Sequence, residues 1–384
     1  MHLPDRFRGM FAFAIHGATL GALVSRLPEL QRGLALSEGA FGLALLAMSV
    51  GVFLGNIVVA PFIERWGART ACIVSAILFA CLTVPTALTT GLVTLSAALF
   101  LFGLALSSGN VSINVAGTAI ERRHESSIMN RLHGSWGIGF LVATMIAPLL
   151  IAAGVSPLAQ FVGAAVILSG LAIVMLAPMS DPESAAESVL KKKRFAVPSS
   201  AVWMVALAAM AGGVLEGIAR NWSVIYLRDT LDAAEAVAAV ALPVFTVMLT
   251  LGRLSGDWAV TRFGAVRVGQ GASVLLLAGV LLLAAASSPV VAMVALGLVG
   301  AGTSVAIPLG FSACGRIDGG SATTLAAYSL LSTIMNSSGS PIYGLLAQVT
   351  DLRMALLFFV PIIVLSLLMS GRFGRQESDD LQPA

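Results

Sequence analysis

Arg65-Trp66-Gly67-Ala68 recurs along the chain as Arg262-Phe263-Gly264-Ala265. Positions 67 and 264 are 197 residues apart, close to half of the 384-residue length. Each copy follows the second long apolar segment of its half of the chain. A short charged turn at the same place in two hydrophobic halves indicates a duplicated bundle of membrane helices.

The composition is that of a membrane protein. Hydrophobic residues make up 58% of the chain and charged residues 11%, with a mean hydropathy of +0.94, whereas about a quarter of the residues in soluble domains are charged. A bilayer core about 30 Å thick needs about 20 apolar residues per helix. Twelve predicted segments of about this length use nearly the whole chain: 7–26, 39–62, 69–89, 92–120, 134–154, 158–178, 201–227, 236–259, 268–286, 290–313, 323–347 and 354–371.

The distribution of basic residues predicts the topology. Sixteen Lys or Arg residues fall on the side that holds both termini and four on the other side, so the positive-inside rule places both termini in the cytoplasm. The longest joint, 179–200, is predicted to link two six-helix halves, 1–178 and 201–371, followed by a cytoplasmic tail, 372–384. The predicted fold class is an all-α membrane protein with twelve transmembrane helices in two pseudo-symmetric six-helix bundles.

The first turn and its flanks, Ala60 to Arg69, resemble the signature loop of the major facilitator superfamily. Three further stretches resemble the bacterial inner-membrane YbjJ-type branch of this superfamily, which is related to fucose-permease-like transporters. They are Ser25-Arg26-Leu27-Pro28, Asn114-Val115-Ala116-Gly117 and His133-Gly134-Ser135-Trp136-Gly137-Ile138-Gly139. The resemblance implies the six-plus-six fold, an inner-membrane location and solute transport by alternating access.

In that superfamily the loop's acid and arginines bridge the cytoplasmic ends of neighbouring helices. The resemblance therefore implies a gating role for Glu64, Arg65 and Arg69, and Glu121 is assigned to the same gate. The second copy has Thr261 at the position of the acid, so we expect an asymmetric gate. A tight charged turn that only anchors the topology is the alternative.

Polar side chains form a stripe along the fourth segment. Successive members are three or four residues apart, which places them on one helical face: Ser107, Asn110, Asn114, Thr118 and Glu121. Amides in hydrocarbon are costly unless paired, and in the resembled family this helix lines the central cavity. Asn110 and Asn114 are therefore predicted to contact the solute, with hydrogen bonding between helices as the alternative.

The eleventh segment carries a second polar stripe with Asn336 and Tyr343, which we also assign to the cavity, Asn336 being the stronger candidate. Its small residues 337–340 could equally permit close helix packing. His16 lies in the middle of the first segment, where an imidazole can form hydrogen bonds or respond to pH. We include it among the cavity residues, with packing as the alternative.

Glu216 and Arg220 are an acid and a base four residues apart within a membrane segment, so they can pair on one helix face. They are placed in the outer half of the seventh segment. Because burying both charges costs several kcal/mol per ion, protonation of Glu216 is predicted to release Arg220, and the pair is assigned to proton coupling. A structural pair near the outer surface is the alternative. Arg253 and Asp257, toward the cytoplasmic end of the eighth segment, are assigned to a gate.

The chain has no nucleotide-binding glycine motif, nucleophile elbow or metal-ligand cluster, so we expect no enzyme, no metal and no cofactor. The proton gradient is the expected energy source. The sequence predicts a monomeric secondary transporter in the lipid bilayer of the bacterial inner membrane, with a small-molecule substrate and no nucleic-acid partner. Uptake of a polar solute such as a sugar or an organic acid is favoured. The alternatives are export of amphipathic compounds and a receptor or sensor that has lost transport.

Overall fold

The computed structural model describes residues 4–124, 128–179, 198–317 and 321–374, and its regular elements there are helical. The α-helices α1 to α16 are, in order, Asp5–Val24, Leu27–Gly33, Glu38–Cys81, Thr83–Ala87, Leu92–His124, Met129–Ala152, Pro157–Leu176, Ser200–Leu231, Glu235–Ala238, Ala241–Phe263, Ala265–Ala285, Pro289–Thr303, Ala306–Cys314, Ala322–Val349, Leu352–Leu357 and Val360–Met369, followed by a 3-10 helix, Ser370–Phe373.

Within the described residues, eleven helical stretches are long and apolar enough to cross a membrane. The predicted eleventh segment is not among them, but it forms the 28-residue helix α14, whose serines and asparagine lower its hydropathy. Many large apolar side chains are exposed, among them Val93, Leu149 and Leu368. Such a surface fits contact with lipid chains. The prediction of an all-α membrane fold is confirmed.

Several helices begin with the same device, a serine whose side-chain oxygen accepts the backbone N–H three residues later. This arrangement satisfies an amide that lacks a partner inside the helix. Serines cap α3, α7, α8, α12 and α14 in this way: Ser37, Ser156, Ser199, Ser288 and Ser321.

The chain divides into two compact units, Met1–Lys191 and Lys192–Ala384. In the first unit α3 packs mainly on α5 and α1 on α6, and in the second α11 packs on α12 and α8 on α14. Most of the predicted linker and of the predicted tail lies outside the described residues, so the boundaries of both stay predictions.

The two repeated turns have nearly the same backbone conformation. Gly67 has φ 79° and ψ 160°, and Gly264 has φ 84° and ψ 151°. Glycine is essentially the only residue that adopts this region without strain. The first turn bends α3, and the second separates α10 from α11. The repeat found in the sequence is therefore also a repeat of local structure.

Candidate functional site

A charged cluster lies inside the second unit. Arg220 Nη2 donates to Glu216 Oε1 at 2.5 Å, and Arg253 Nη2 donates to Glu216 Oε2 at 3.0 Å. Arg220 Nη1 also donates to the side-chain oxygen of Asn336 at 3.2 Å. Helices α8, α10 and α14 thus each supply part of one hydrogen-bonded network around a single carboxylate.

The cluster lies deep in the helix bundle of this unit. Glu216 is close to the middle of the 32-residue helix α8, about 24 Å from its first residue at 1.5 Å per residue. The Glu216 side chain is 5% exposed, that of Arg220 17% and that of Arg253 39%. One edge of the cluster is therefore open while the carboxylate itself is buried.

This geometry corrects the predicted depth of Glu216 and gives Arg253 a partner that was not predicted. Glu216 is in the middle of its helix and not in its outer half, because α8 extends to Leu231, beyond the predicted end at 227. Arg253 was assigned to a gate beside Asp257, yet it reaches across to α8 and pairs with Glu216. Asp257 is exposed and forms no ion pair within the described residues, and the gating role of Arg253 and Asp257 stays a prediction.

A close helix crossing positions Asn336 beside the cluster. A Cβ atom on Gly217 would lie 2.0 Å from the backbone oxygen of Asn336, and one on Gly339 would lie 2.4 Å from that of Val214. Ser340 Oγ and Asn221 Nδ2 both donate to the oxygen of Gly217, and Asn221 Nδ2 also donates to Ser340 Oγ. The small residues of α14 therefore pack against α8, as the packing alternative predicted.

The first unit contains the same crossing between α1 and α6. A Cβ atom on Gly17 would lie 2.0 Å from the backbone oxygen of Trp136, and one on Gly139 would lie 2.0 Å from that of Ala14. These residues match those of the α8–α14 crossing at a constant difference of 200 in residue number. By the same difference, His16 corresponds to Glu216 and Trp136 to Asn336.

His16 is held by three helices. Its Nδ1 accepts from Trp136 Nε1 at 3.0 Å, and its Nε2 lies 2.9 Å from the backbone oxygen of Leu106. A carbonyl only accepts, so Nε2 carries the hydrogen and the ring is neutral. The ring is buried and stacks on Phe79 at 4.8 Å. Both ring nitrogens therefore bond to the protein, as the packing alternative expects, and a cavity role of His16 stays a prediction.

Tyr343 lies in the packed interior of the second unit, and its assignment to the solute cavity stays a prediction. Its side chain is buried, its hydroxyl donates to the backbone oxygen of Leu352 at 2.7 Å, and its ring contacts Trp222 at 5.1 Å. The helix continues past Pro341, so Tyr343 lies two turns beyond Asn336, in the interior of the unit.

Asn110 and Asn114 lie on the open side of α5. Asn110 is exposed and Asn114 is half-buried, and Asn114 Nδ2 donates to the backbone and side-chain oxygens of Asn110 at 2.7 and 3.0 Å. Within the described residues these bonds stay inside α5, so the two amides do not join it to another helix. Their role in solute contact stays a prediction.

The sequence model of the Major Facilitator Superfamily matches residues 9–340. The chain belongs to this superfamily. A relative, the uncharacterized transporter y4wD of Sinorhizobium fredii, is 26% identical over 361 residues, which cover 92% of this chain and 94% of the relative. The chain is thus a multi-pass bacterial membrane protein of a transporter family, embedded in the bilayer, with a small molecule as its substrate. It is not an enzyme.

Solved structures agree with the superfamily fold. The nucleoside transporter NupG matches with a TM-score of 0.76 at 13% identity, covering 97% of this chain and 100% of that one. A D-xylose–proton symporter matches with a TM-score of 0.74 at 13% identity, covering 97% of both chains. These likenesses show the fold. The YbjJ-type branch stays a prediction.

In the superfamily loop of the first unit, Arg69 and Arg65 form contacts within the described residues. Arg69 Nη1 lies 3.4 and 3.5 Å from the backbone oxygens of Ala177 and Met179, just beyond α7, and Arg65 lies over the Trp66 ring at 5.8 Å. Glu64 is exposed and forms no ion pair with any described residue. The side chain of Glu121 lies outside the described part. The gating roles of these four residues stay predictions.

One residue and one contact of the site were not predicted from the sequence. Trp136 was noted only as part of a family motif, although its indole is a partner of His16. The ion pair between Arg253 and Glu216 was missed because the residues are 37 positions apart on different helices. No signal along the first helix pointed to Trp136, because it lies 120 positions from His16 on another helix.

Proposed function

We propose that this superfamily member is a proton-coupled secondary transporter that takes up a small polar solute across the bacterial inner membrane. It works as a monomer without a bound cofactor, has both termini in the cytoplasm and uses the proton gradient. The observation that carries the proposal is the Glu216 carboxylate, buried near the middle of α8 and held by Arg220 and Arg253.

A carboxylate in the interior of a membrane protein is expensive, and such residues mark ion and proton paths. When Glu216 is ionised, it joins α8 to α10 through Arg253. When Glu216 takes up a proton, the ion pairs lose their charge attraction, and Arg253 is free to leave. A proton on one carboxylate thereby changes the connection between two helices, which is the kind of local event that biases a two-state element. The match to a D-xylose–proton symporter supports a fold compatible with such coupling.

The test begins with a thermal-shift screen of the purified protein against sugars, organic acids and amphipathic compounds. A solute that stabilises the protein is then offered to proteoliposomes with and without an imposed pH gradient. We expect the wild-type protein to accumulate solute when the outside is acidic. The Glu216→Gln variant should lose this accumulation and keep solute counterflow, because an amide retains the shape of the side chain but takes up no proton.

Glu235→Gln is the matched control, because it makes the same chemical change at an exposed position of the same unit. Accumulation by Glu216→Gln equal to that of the wild type would contradict the proposal. If the stabilising ligands are amphipathic compounds and the pH gradient drives them only out of the cytoplasmic side, the protein is an exporter. Binding without counterflow would identify a receptor.

A further inference from the structure

The side-chain amide of Asn336 has a fixed orientation. Arg220 Nη1 donates to its oxygen at 3.2 Å. A guanidinium has donors and no acceptor, so the amide atom that faces Arg220 must be the oxygen. The Nδ2 of Asn336 is therefore turned away from Arg220. Within the described residues this nitrogen has no hydrogen-bond partner, and it remains accessible at the surface of the second unit.

The helix crossing keeps this amide in place. A Cβ atom on Gly217 would lie 2.0 Å from the backbone oxygen of Asn336, so α14 lies directly against α8 at this point. One turn further along α14, Ser340 Oγ donates to the backbone oxygen of Gly217 at 2.8 Å. A donor that is held in position before binding loses little conformational entropy when it binds. Asn336 therefore presents a preorganised donor.

Two comparable positions offer no such donor. Trp136, which corresponds to Asn336 in the first unit, gives its one side-chain N–H to His16. Asn221 is buried, and its Nδ2 donates to Gly217 and Ser340. An N–H group that leaves water without meeting an acceptor is costly. The amide of Asn336 therefore favours a ligand that brings an acceptor.

We propose that Asn336 binds the transported solute through Nδ2 and that the solute offers an oxygen acceptor there, a hydroxyl or a carbonyl. This inference rests on the proposed function. The other end of the same amide bonds Arg220, which bonds Glu216. Two hydrogen bonds thus connect the solute contact with the carboxylate that takes up the proton, and bonds in such a chain strengthen one another. An ammonium group, which only donates, is excluded at this point.

The first measurement finds a probe that binds the full-length protein. Thermal shifts are recorded with D-glucose, D-galactose, D-xylose and L-lactate, and each stabilising probe is compared with analogues that lack one of its oxygen atoms. We expect one analogue to bind the wild-type protein about three- to tenfold more weakly than its parent, as for the loss of one neutral hydrogen bond. That analogue identifies the oxygen that Asn336 contacts.

Asn336→Ala tests whether the same contact is lost from the side of the protein. It should bind the parent probe about three- to tenfold more weakly than the wild type does, and it should not distinguish the parent from the analogue. Two losses that do not add indicate a direct contact. Gln270→Ala is the matched control, because it removes an exposed amide from α11 of the same unit. It should keep the wild-type preference for the parent.

Asn336→Asp reverses the polarity of the contact. Its carboxylate keeps an acceptor toward Arg220 and places a second oxygen where Nδ2 was. The probe for this variant is the analogue with an ammonium group in place of the contacted oxygen. The wild-type protein should reject this analogue, and Asn336→Asp should prefer it to the parent. A residue that only supports packing would not reverse the preference. If Asn336→Ala fails to fold, Asn336→Asp carries the comparison.

The inference is overturned if Asn336→Ala distinguishes every analogue from its parent as well as the wild type does. It is also overturned if Asn336→Asp keeps the wild-type preference for the parent. A probe that binds independently of Asn336, yet accumulates in a pH gradient through Glu216, would refute this inference and leave the proposed function standing. Failure of every screened solute to bind, enter or exchange would refute both.

Discussion

Arg253 on α10 reaches Glu216 on α8, with its Nη2 3.0 Å from the carboxylate oxygen Oε2. The carboxylate would otherwise pair only with Arg220, four residues along its own helix. The second contact turns a local helix pair into a connection between two helices. Protonation of one acid can therefore alter tertiary structure, and not only the surface of one helix.

Gly217→Ala is predicted to disturb both stability and solute binding. The added Cβ atom would lie 2.0 Å from the backbone oxygen of Asn336, so α14 must move away from α8 and carry Asn336 from Arg220. The expected result is a lower thermal midpoint in detergent and a weaker solute-induced shift. Gly271→Ala is the control, since its Cβ atom meets open space within α11. It should be neutral or stabilising, because alanine favours helix by about 1 kcal/mol over glycine.

Gly67→Ala and Gly264→Ala are predicted to destabilise the protein by similar amounts. Both glycines have a positive φ with an extended ψ, where a side chain costs about 1–3 kcal/mol. A steric clash would not explain a loss of stability in Gly264→Ala, because the added Cβ atom would meet no other atom within 4 Å. Thermal unfolding of the two variants should agree, and Gly134→Ala, at an open helical position, should not share the loss. A Gly264→Ala protein as stable as the wild type would show that this turn does not require glycine.

The bond between His16 and Trp136 is predicted to stabilise the first unit. Trp136→Phe removes the indole N–H that donates to Nδ1 and keeps an aromatic ring. We expect a loss of about 1 kcal/mol for this bond. A double-mutant cycle with His16→Phe should give a coupling energy of about the same size. Additive effects of the two substitutions would contradict the assignment of the bond.

Asn110→Ala and Asn114→Ala are predicted to impair solute binding with little effect on stability. Asn110 is exposed, and the described bonds of both amides stay within α5, so their loss leaves no buried partner unsatisfied. The expected result is a raised KM in uptake or counterflow and an unchanged thermal midpoint of the solute-free protein. A lowered midpoint with an unchanged KM would assign the pair to packing.

Much of the fold could be predicted from the sequence because its signals are local. Hydropathy marks most of the long helices, and the glycines of the turns are needed by the backbone at those positions. The Glu216–Arg220 pair could be predicted for the same reason, since four residues make one helical step. The contacts of Arg253, His16 and Tyr343 depend on which helix faces turn inward. The direction in which each helix face points is decided by close contacts between helices, such as that of Gly217 with Asn336, and not by residue spacing along one helix.

In the proposed cycle, Glu216 takes up the proton that accompanies the solute. The most direct measurement is proton uptake by the purified protein in weakly buffered solution, followed with a pH-sensitive dye, when the stabilising solute is added. We expect the wild-type protein and Glu235→Gln to remove protons from solution, and we expect Glu216→Gln to remove none while still binding the solute. Equal proton uptake by Glu216→Gln and the wild-type protein would contradict this cycle.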